Sequence, residues 1–449
     1  MPHSEASPVV ETAPTEREPG NPRIVPRSEH CISRSNIDSH ALKVLYRLHK
    51  AGYQAYLVGG GVRDLLIGLQ PKDFDVATDA TPEEVRALFR NCRLIGRRFR
   101  LAHVVFGRKV VEVATFRANH GGEDDGAGEV HADGRILRDN VFGTIEDDAF
   151  RRDFTVNALY YDIGRFALVD YTGALEDIEA RRLRLIGDPA VRYREDPVRM
   201  LRAARFAAKL GFEVDPASAE PMAELGPLLA DVPPARLFEE VLKLFQSGHA
   251  VASLEQLRRH DLLQYLFPRA DRALKSGDSG FEALLRCALA NTDRRIAEDR
   301  PVTPAFVYAV FLWPHVRAVA AEQVEAGEPP VPAWQHAASE ALDAQQAATA
   351  LPKRFAGPAR EIWTLQPKLE RYTGKRARRL LGHPRLRAGW DFLCLRRDSG
   401  EDLDALCEQW RQWMEAEPER AAPSEAPAPR KRRRRRGGRR RRGGGGGNE

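Results

Sequence analysis

The stretch LVGGGVRD (57–64), closely followed by KDFDVAT (72–78), decides the fold of the first half of the chain. It joins a strand-like apolar run, three consecutive glycines and a D-x-D pair. Strand and helix patterns alternate around it, which indicates a small α/β unit with a mixed sheet. In chain order they predict a helix over 37–50, a strand over 53–60, a helix over 61–69, a strand over 73–78, a helix over 81–90, and paired strands over 103–107 and 109–117.

The two acidic residues of the D-x-D pair indicate a site for a divalent cation. Residues two apart on a strand face the same side, so Asp73 and Asp75 would present their carboxylates together. Adjacent carboxylates repel each other unless a cation lies between them, and Mg²⁺ typically binds one or two carboxylates plus substrate phosphates. Glu112, in the strand KVVEVATFR, is a candidate third ligand, although an exposed strand residue is an equally simple interpretation.

The glycines between the strand and the helix predict a phosphate-binding turn. Gly59 and Gly60 would let the backbone approach a phosphate closely, with amide groups directed at it from a helix N-terminus. Arg63 would add a charge-assisted contact to a triphosphate. The spacing matches neither G-x-G-x-x-G nor G-x-x-x-x-G-K-[ST], which disfavours a Rossmann domain and a P-loop.

Four motifs in this order resemble the class II nucleotidyltransferases, the family of bacterial poly(A) polymerases and CCA-adding enzymes. Beyond the glycine turn and the D-x-D pair, RRDFTVNA (151–158) resembles its ribose-contacting motif and EDPVR (195–199) its nucleobase motif. The resemblance implies that Asp73 and Asp75 hold Mg²⁺ for attack of an RNA 3′-hydroxyl on a nucleoside triphosphate.

The resemblance also implies roles for the residues of the last two motifs. Arg152 and Asp153 would act at the ribose, with Asp153 completing the catalytic carboxylates, while Asp196 and Arg199 would face the base. ATP and CTP both offer an amino group and a ring nitrogen to such an acceptor–donor pair, so this motif does not itself select ATP.

The segment LIGRRFRLAHV (94–104) resembles the one that marks bacterial poly(A) polymerases against CCA-adding enzymes. Arg97 and Arg98 within it are expected to bind the primer or the triphosphate. This branch of the family implies a template-independent enzyme that adds AMP from ATP to RNA 3′ ends and releases pyrophosphate. Its expected partners are RNA, ATP and the RNA-decay machinery, with no role for DNA.

Charge is distributed unevenly along the 449 residues, whose formal net charge is +6. The last twenty residues hold eleven Lys or Arg and one acid, Glu449, which gives this tail +10 and leaves −4 for residues 1–429. Such a tract commonly binds RNA phosphates without sequence preference. Five scattered cysteines without C-x-x-C spacing and the lack of a long apolar run predict a cytoplasmic protein that does not enter a membrane.

From Asp148 onward the pattern reads as helical. The predicted fold class is therefore α+β, with a small mixed-sheet nucleotidyltransferase head, an all-helical body and disordered termini. The predicted divisions are a disordered segment over 1–28, the catalytic head over 29–170, a helical neck for nucleotide and RNA over 171–250, an RNA-binding helical body over 251–415, and a Pro/Ala linker with a basic tail over 416–449.

Two other functions are compatible with parts of this pattern. A CCA-adding enzyme would use the same site but add CTP and ATP in order to tRNA. A non-catalytic RNA-binding protein with a degenerate site would act mainly through its basic tail. The intact glycine turn, D-x-D pair and R-R-D-F-T block disfavour the second alternative, because a degenerate site has no need of all three.

Overall fold

The structure is a computed structural model that describes residues 21–96, 100–118 and 141–417. These residues form ten strands and 21 α-helices. The strands are β1 Arg23–Val25, β2 Ala55–Val58, β3 Asp75–Thr78, β4 Cys92–Ile95, β5 Leu101–Phe106, β6 Lys109–Thr115, β7 Leu159–Asp162, β8 Ala167–Asp170, β9 Arg182–Leu183 and β10 Glu213–Val214.

The helices lie partly between these strands and mostly after them, which confirms the predicted mixed-sheet head and helical body. They are α1 Ser39–Lys50, α2 Gly60–Leu66, α3 Pro82–Leu88, α4 Ile145–Phe150, α5 Ala174–Glu179, α6 Pro189–Glu195, α7 Val198–Leu210, α8 Pro216–Ala219, α9 Pro221–Leu225, α10 Pro234–Phe245, α11 Ala250–Arg259, α12 Leu263–Leu266, α13 Pro268–Lys275, α14 Ser279–Ala297, α15 Pro304–Phe311, α16 Trp313–Glu325, α17 Pro330–Gln345, α18 Lys353–Arg371, α19 Gly374–Leu380, α20 Leu386–Asp398 and α21 Asp404–Ala416.

The head is built on an eight-stranded sheet with the order β1-β8-β7-β2-β3-β6-β5-β4. Strands β3 and β6 are parallel, and the other neighbouring pairs of this sheet are antiparallel. Helix α1 covers one face with Val44, Leu45 and Leu48, each fully buried, as its apolar spacing predicts. Strand β3 therefore lies inside the sheet, between the strand that leads into the glycine turn and the strand that carries Glu112.

Two strands lie where the sequence pattern predicts helix, and that prediction is wrong. Strands β7 and β8 form a hairpin after Asp148, and β7 pairs with β2 in the middle of the sheet. Their side chains are almost all buried, so the segment lacks the alternation of apolar and polar residues that identifies a half-exposed strand. Asp162 makes the turn by accepting hydrogen bonds from the amides of Gly164 and Arg165.

A third strand lies inside the segment predicted to be disordered. Strand β1 pairs with β8 at the edge of the sheet, with Ile24 opposite Val169. The composition of residues 1–28 does not reveal this strand, because its hydrogen-bonding partner is about 145 positions away in the chain.

The pattern EDPVRMLRAARFAAKLGF (195–212) predicts one helix that ends at Gly211; helix α7 occupies most of this range, and α6 ends at its first residue, Glu195, so that Asp196 and Pro197 separate the two helices. A residue that precedes proline avoids the helical region, and Asp196 has φ −149° and ψ 94°. Helix α7 ends at Gly211, which has φ 65°, as predicted. The break places the side chains of the EDPVR motif at the junction of two helices.

The body packs its helices around a continuous core that also contains Phe154 and Val156 from the R-R-D-F-T block. That block is therefore anchored in the body as well as in the head. By length and apolarity, no single helix of the described chain could cross a bilayer; only α15 and α16 combined reach that threshold, and they are bent by 58°.

Candidate active site

The predicted acidic residues converge at the N-terminal end of β3. Asp75 is the first residue of β3 and lies opposite Val58, the last residue of β2, while Asp73 precedes the strand. On the other side, Val76 pairs with Val113 of β6, so Glu112 is beside Asp75. All three acidic residues are exposed and line one cleft of about 610 Å³.

The negative charges immediately around Asp75 are poorly balanced, which is the situation that a bound cation would relieve. Desolvation of the Asp75 carboxylate raises its pKa to about 6; Glu112 and Asp73 raise it further, and Arg152 lowers it. Across the neighbouring strand, Nε2 of His103 is 3.4 Å from Oε1 of Glu112.

The donor set suits a cation that shares its ligands with a substrate. Within the described ranges, no group of three or more His, Cys, Asp and Glu side chains is close enough to hold a metal ion by itself. Mg²⁺ commonly binds one or two carboxylates and completes its coordination with phosphate oxygens and water. Asp73 and Asp75 therefore fit such an ion, with Glu112 beside them.

The glycine turn has a backbone that requires glycine. Gly59 has φ 73° and ψ −141°, a conformation that is essentially closed to other residues. A Cβ on Gly59 would be 3.5 Å from Nη1 of Arg152, and one on Gly61 would be 3.4 Å from the carbonyl oxygen of Asp73. The turn thus contacts the ribose motif on one side and the D-x-D segment on the other.

Arg63 lies beneath this turn and not at its surface. Its side chain is buried, with Nε donating to Oδ1 of Asp64 at 2.8 Å and Nη1 donating to Oδ1 of Asn157. Nη2 also donates to Asp64 and is 3.3 Å from the position of a Cβ on Gly60. The expected contact with a triphosphate is not available in this structure, because the guanidinium is covered and its nitrogens already have acceptors; Arg63 supports the turn instead.

Arg152 is the cation that faces Asp75, and a buried acid holds it in place. Its Nη2 donates to Oδ2 of Asp148 at 2.9 Å, and its Nε donates to the hydroxyl of Tyr160 at 3.1 Å. The Tyr160 hydroxyl donates to the same Asp148 oxygen at 2.8 Å. Although burial opposes its charge, Tyr160 and Asp148 keep the pKa of Arg152 above its usual value.

The sequence interpretation did not assign Asp148 or Tyr160 to the site. A signal for Asp148 was present, because it precedes Arg152 by four residues, the spacing of an ion pair on a helix. Tyr160 gave no comparable signal, since it belongs to a strand of the hairpin that was predicted as helix.

Asp153 does not line the cleft, and its contact with Arg202 joins the head to helix α7. Its Oδ2 accepts from Nε of Arg202 at 2.8 Å, and its Oδ1 accepts from Asn157 and from the amide of Phe154. Burial opposes ionisation, but Arg202, Asn157 and the Phe154 amide together lower the pKa of Asp153 to about 2. Both oxygens are thus used by protein donors, and a catalytic role for Asp153 stays a prediction.

The two residues expected at the base lie near each other on the neck but have separate partners. Oδ2 of Asp196 accepts from Nη2 of Arg236 at 2.7 Å, and Nη1 of Arg199 donates to Oε2 of Glu195 at 2.8 Å. Arg236, from α10, was not identified in the sequence. Arg97 and Arg98 lie outside the described residues.

The neck motif is tied directly to the ribose motif. Nη2 of Arg192, in α6, donates to the carbonyl oxygens of Arg151 and Arg152 at 2.7 and 2.6 Å. Arg199 in turn donates to the carbonyl oxygen of Arg192 at 2.6 Å. Hydrogen bonds through Arg192 therefore connect Arg199, expected at the base, with Arg152, expected at the ribose.

Family models match three successive parts of the chain. Residues 55–184 match the poly A polymerase head domain, residues 211–274 the probable RNA and SrmB-binding site of polymerase A, and residues 326–442 the polymerase A arginine-rich C-terminus. The chain is 49% identical over 419 residues to poly(A) polymerase I of Salmonella typhimurium strain LT2, which covers 91% of this chain and 90% of the relative.

In sequence, the similarity to CCA-adding enzymes has a lower identity and covers a smaller part of the chain. The enzyme of Bacillus pumilus is 38% identical over 49% of this chain and 52% of its own length. In structure, the chain resembles the Bacillus stearothermophilus CCA-adding enzyme in complex with CTP, with a TM-score of 0.57, 27% identity, and coverage of 85% and 82% of the two chains.

The extent of the matches distinguishes the two branches: the match to poly(A) polymerase I covers 91% of this chain, the match to the Bacillus pumilus enzyme covers 49%, and residues 326–442 match the polymerase A arginine-rich C-terminus. The predicted template-independent adenylyltransferase function is confirmed. The chain belongs to the poly(A) polymerase I family of nucleotidyltransferases.

Proposed function

We propose that the cleft at the start of β3 is the catalytic centre, where Mg²⁺ is held by Asp73 and Asp75 and AMP is transferred from ATP to an RNA 3′ end. The observation that supports this most strongly is the convergence of Asp73, Asp75 and Glu112 on one cleft beside the glycine turn. The 3′-oxygen would bond to the α-phosphorus as the bond to the bridging oxygen breaks, and pyrophosphate would leave. Bound there, the divalent cation would lower the pKa of the hydroxyl and neutralise the triphosphate.

The protein groups around the carboxylates would place the nucleotide. The amides of the turn at Gly59 and Gly60 and the guanidinium of Arg152 would receive the triphosphate and ribose, because they lie on the side of Asp75 that adjoins β2. Asp196 and Arg199 would face the base from the junction of α6 and α7. We also propose Arg236 as a third neck residue at the base, because it fixes the carboxylate of Asp196.

The matching family models support a proposal for the process in which the enzyme acts. We propose that residues 211–274 bind RNA, that the enzyme acts in mRNA processing in the cytoplasm, and that the tails it adds direct RNA to the decay machinery. Binding of a partner through this segment is supported by the description of the matching family model, which names a protein as well as RNA.

The carboxylate pair is tested by Asp73→Asn and Asp75→Asn. Each variant should lose AMP incorporation on the order of 10³-fold or more, because several kcal/mol of transition-state stabilisation depend on the cation. Each should also lose the rise in melting temperature that Mg²⁺ gives the wild-type protein without any nucleotide. Asp79→Asn, an exposed aspartate just beyond the opposite end of β3, is the matched control and should behave as wild type.

Primer extension with single nucleotides completes the test. Long tails from ATP on a generic RNA are expected, with little product from CTP. Unchanged extension by either Asp variant would refute the proposed site, and addition limited to three nucleotides on tRNA would refute the proposed substrate.

A further inference from the structure

The order of the strands separates two sides of Asp75. On the β2 side are the glycine turn and Arg152; on the β6 side are Glu112 and the β5–β6 turn at Gly107 and Arg108. The cleft extends over the second side, and it is also lined by the start of α1 at Asp38 and Ala41 and by residues 71–74. Of the described residues that we assign to the nucleotide, none lines it: Gly59, Gly60, Arg152, Asp196 and Arg199.

The separation of the two sides of Asp75 indicates which of the two substrates would enter the cleft. In phosphoryl transfer the attacking and leaving oxygens lie roughly in line, on opposite sides of the phosphorus. If the triphosphate lies on the glycine-turn side, as the proposed function requires, the attacking hydroxyl must come from the β6 side. The cleft would then receive the 3′ end of the RNA, whose backbone carries one negative charge per nucleotide.

The cleft contains cations that match such a backbone. Lys109 is paired with Asp38 at 2.5 Å, and this contact is the main reason that the pKa of Asp38 is lowered to about 2. Lys72 and Arg108 also line the cleft, are exposed, and make no ion pair with any residue of the described ranges. Their charges are therefore available to a ligand.

Lys72 also lies near a residue of the helical body. His249, next to the start of α11, has a pKa lowered mainly by burial, and Lys72 is near enough to contribute to that shift. His249 lies within residues 211–274, which match the probable RNA-binding site of the family. Lys72 is thus close enough to this segment of the body to influence the charge of one of its residues.

We propose that Lys72 and Arg108 bind the phosphates of the last nucleotides of the RNA primer and hold its 3′ end beside Asp75 and Glu112. The inference rests on the proposed function, since the direction of attack fixes which substrate enters the cleft. Both residues act by positioning the primer and take no part in the reaction itself.

The test uses the full chain with Lys72→Ala, Arg108→Ala and the double variant, and a short RNA primer of defined sequence. The KM for the primer at saturating ATP should rise about fivefold for each single variant, as for loss of an exposed ion pair. The KM for ATP at saturating primer should not change. The slope of log affinity for the primer against log salt should fall by about 0.7 for each lost contact.

Lys50→Ala and Arg90→Ala are the controls, because these exposed cations of the head do not line the cleft. Arg108→Lys should restore most of the primer affinity if the contact is a phosphate. An unchanged primer KM, equal losses in the controls, or a rise in the ATP KM instead would each overturn the inference. These outcomes leave the proposed function standing, because that function is tested separately by the activity of Asp73→Asn and Asp75→Asn and by the nucleotides that are added to the primer.

Discussion

At the scale of single residues, Asn157 links side chains that the sequence assigns to separate motifs. Its Oδ1 accepts from Arg63 of the glycine turn, its Nδ2 donates to Asp153 at 3.1 Å, and its carbonyl oxygen accepts from Arg152 at 3.4 Å. A buried residue that binds three partners, two through its side-chain amide and one through its backbone carbonyl, fixes their relative positions more firmly than separate pairs would. The residues expected to contact substrate therefore depend on Asn157 for their relative positions.

Asp153 provides a test of this network through pH. Its pKa is held at about 2 in the folded state against an ordinary value of 3.8, so its ionised form stabilises the fold above about pH 4, and that stabilisation is lost as the pH falls towards 2. Asp153→Asn should lower the free energy of unfolding by about 2 kcal/mol at pH 7. The difference from wild type should shrink below pH 4 when both are unfolded with urea across the pH range.

Asp402→Asn serves as the control for this prediction, since Asp402 is exposed and has no ion pair within the described part of the chain. A loss in Asp153→Asn that is constant from pH 3 to pH 7 would contradict the ion-pair explanation, because a packing defect does not titrate.

At the scale of structural elements, the turn between β2 and α2 holds the site together through its backbone. Gly59 follows directly from the residue opposite Asp75 and contacts the guanidinium of Arg152. Helix α2 then carries Arg63 and Asp64 into the interior, where Nζ of Lys209, in α7, donates to Oδ2 of Asp64 at 3.0 Å. One short element thus connects the D-x-D strand, the ribose motif and the neck.

Substitution of Gly59 tests this connection. Gly59→Ala should cost about 1–3 kcal/mol in backbone strain and lower kcat/KM for ATP at least tenfold, because the turn must shift beside Arg152. Gly68→Ala is the matched control: Gly68 also has a positive φ, 77°, but a Cβ there meets nothing within 4 Å. Thermal unfolding and ATP kinetics of both variants make the comparison, and equal kinetic losses would show that the defect is only one of stability.

Local chemistry explains which elements the sequence predicts well. The helix predicted over 81–90 is α3, which begins with a capping box of Thr81 and Glu84, and the strands predicted over 103–107 and 109–117 are β5 and β6, joined by a turn at Gly107 and Arg108. These features depend on residues within a few positions of one another. Strand β1 was missed because its partner is about 145 positions away in the chain, and β7 and β8 were missed because their buried residues lack the alternation of a half-exposed strand. The burial of Arg63 was missed because its acceptor Asn157 is 94 positions away.

At the scale of the whole molecule, the distribution of charge separates catalysis from general RNA attraction. Residues 1–429 have a formal charge of −4, and the last twenty residues have +10. The folded part therefore has little net attraction for a polyanion beyond local groups such as Lys72 and Arg108. Long-range attraction would come from the tail, and the two contributions differ in how they respond to salt.

Deletion of residues 430–449 should remove most of the salt dependence of RNA binding while leaving the chemical step intact. If the tail makes about six phosphate contacts, the affinity of the full chain should fall on the order of 10³-fold between 50 and 200 mM salt, through release of counterions. The truncated chain should show a much smaller fall, with kcat at saturating primer unchanged because Asp73 and Asp75 are untouched. Fluorescence anisotropy with a labelled RNA over a salt series measures the slopes; equal slopes for the two proteins would place the phosphate contacts on the folded part and not on the tail.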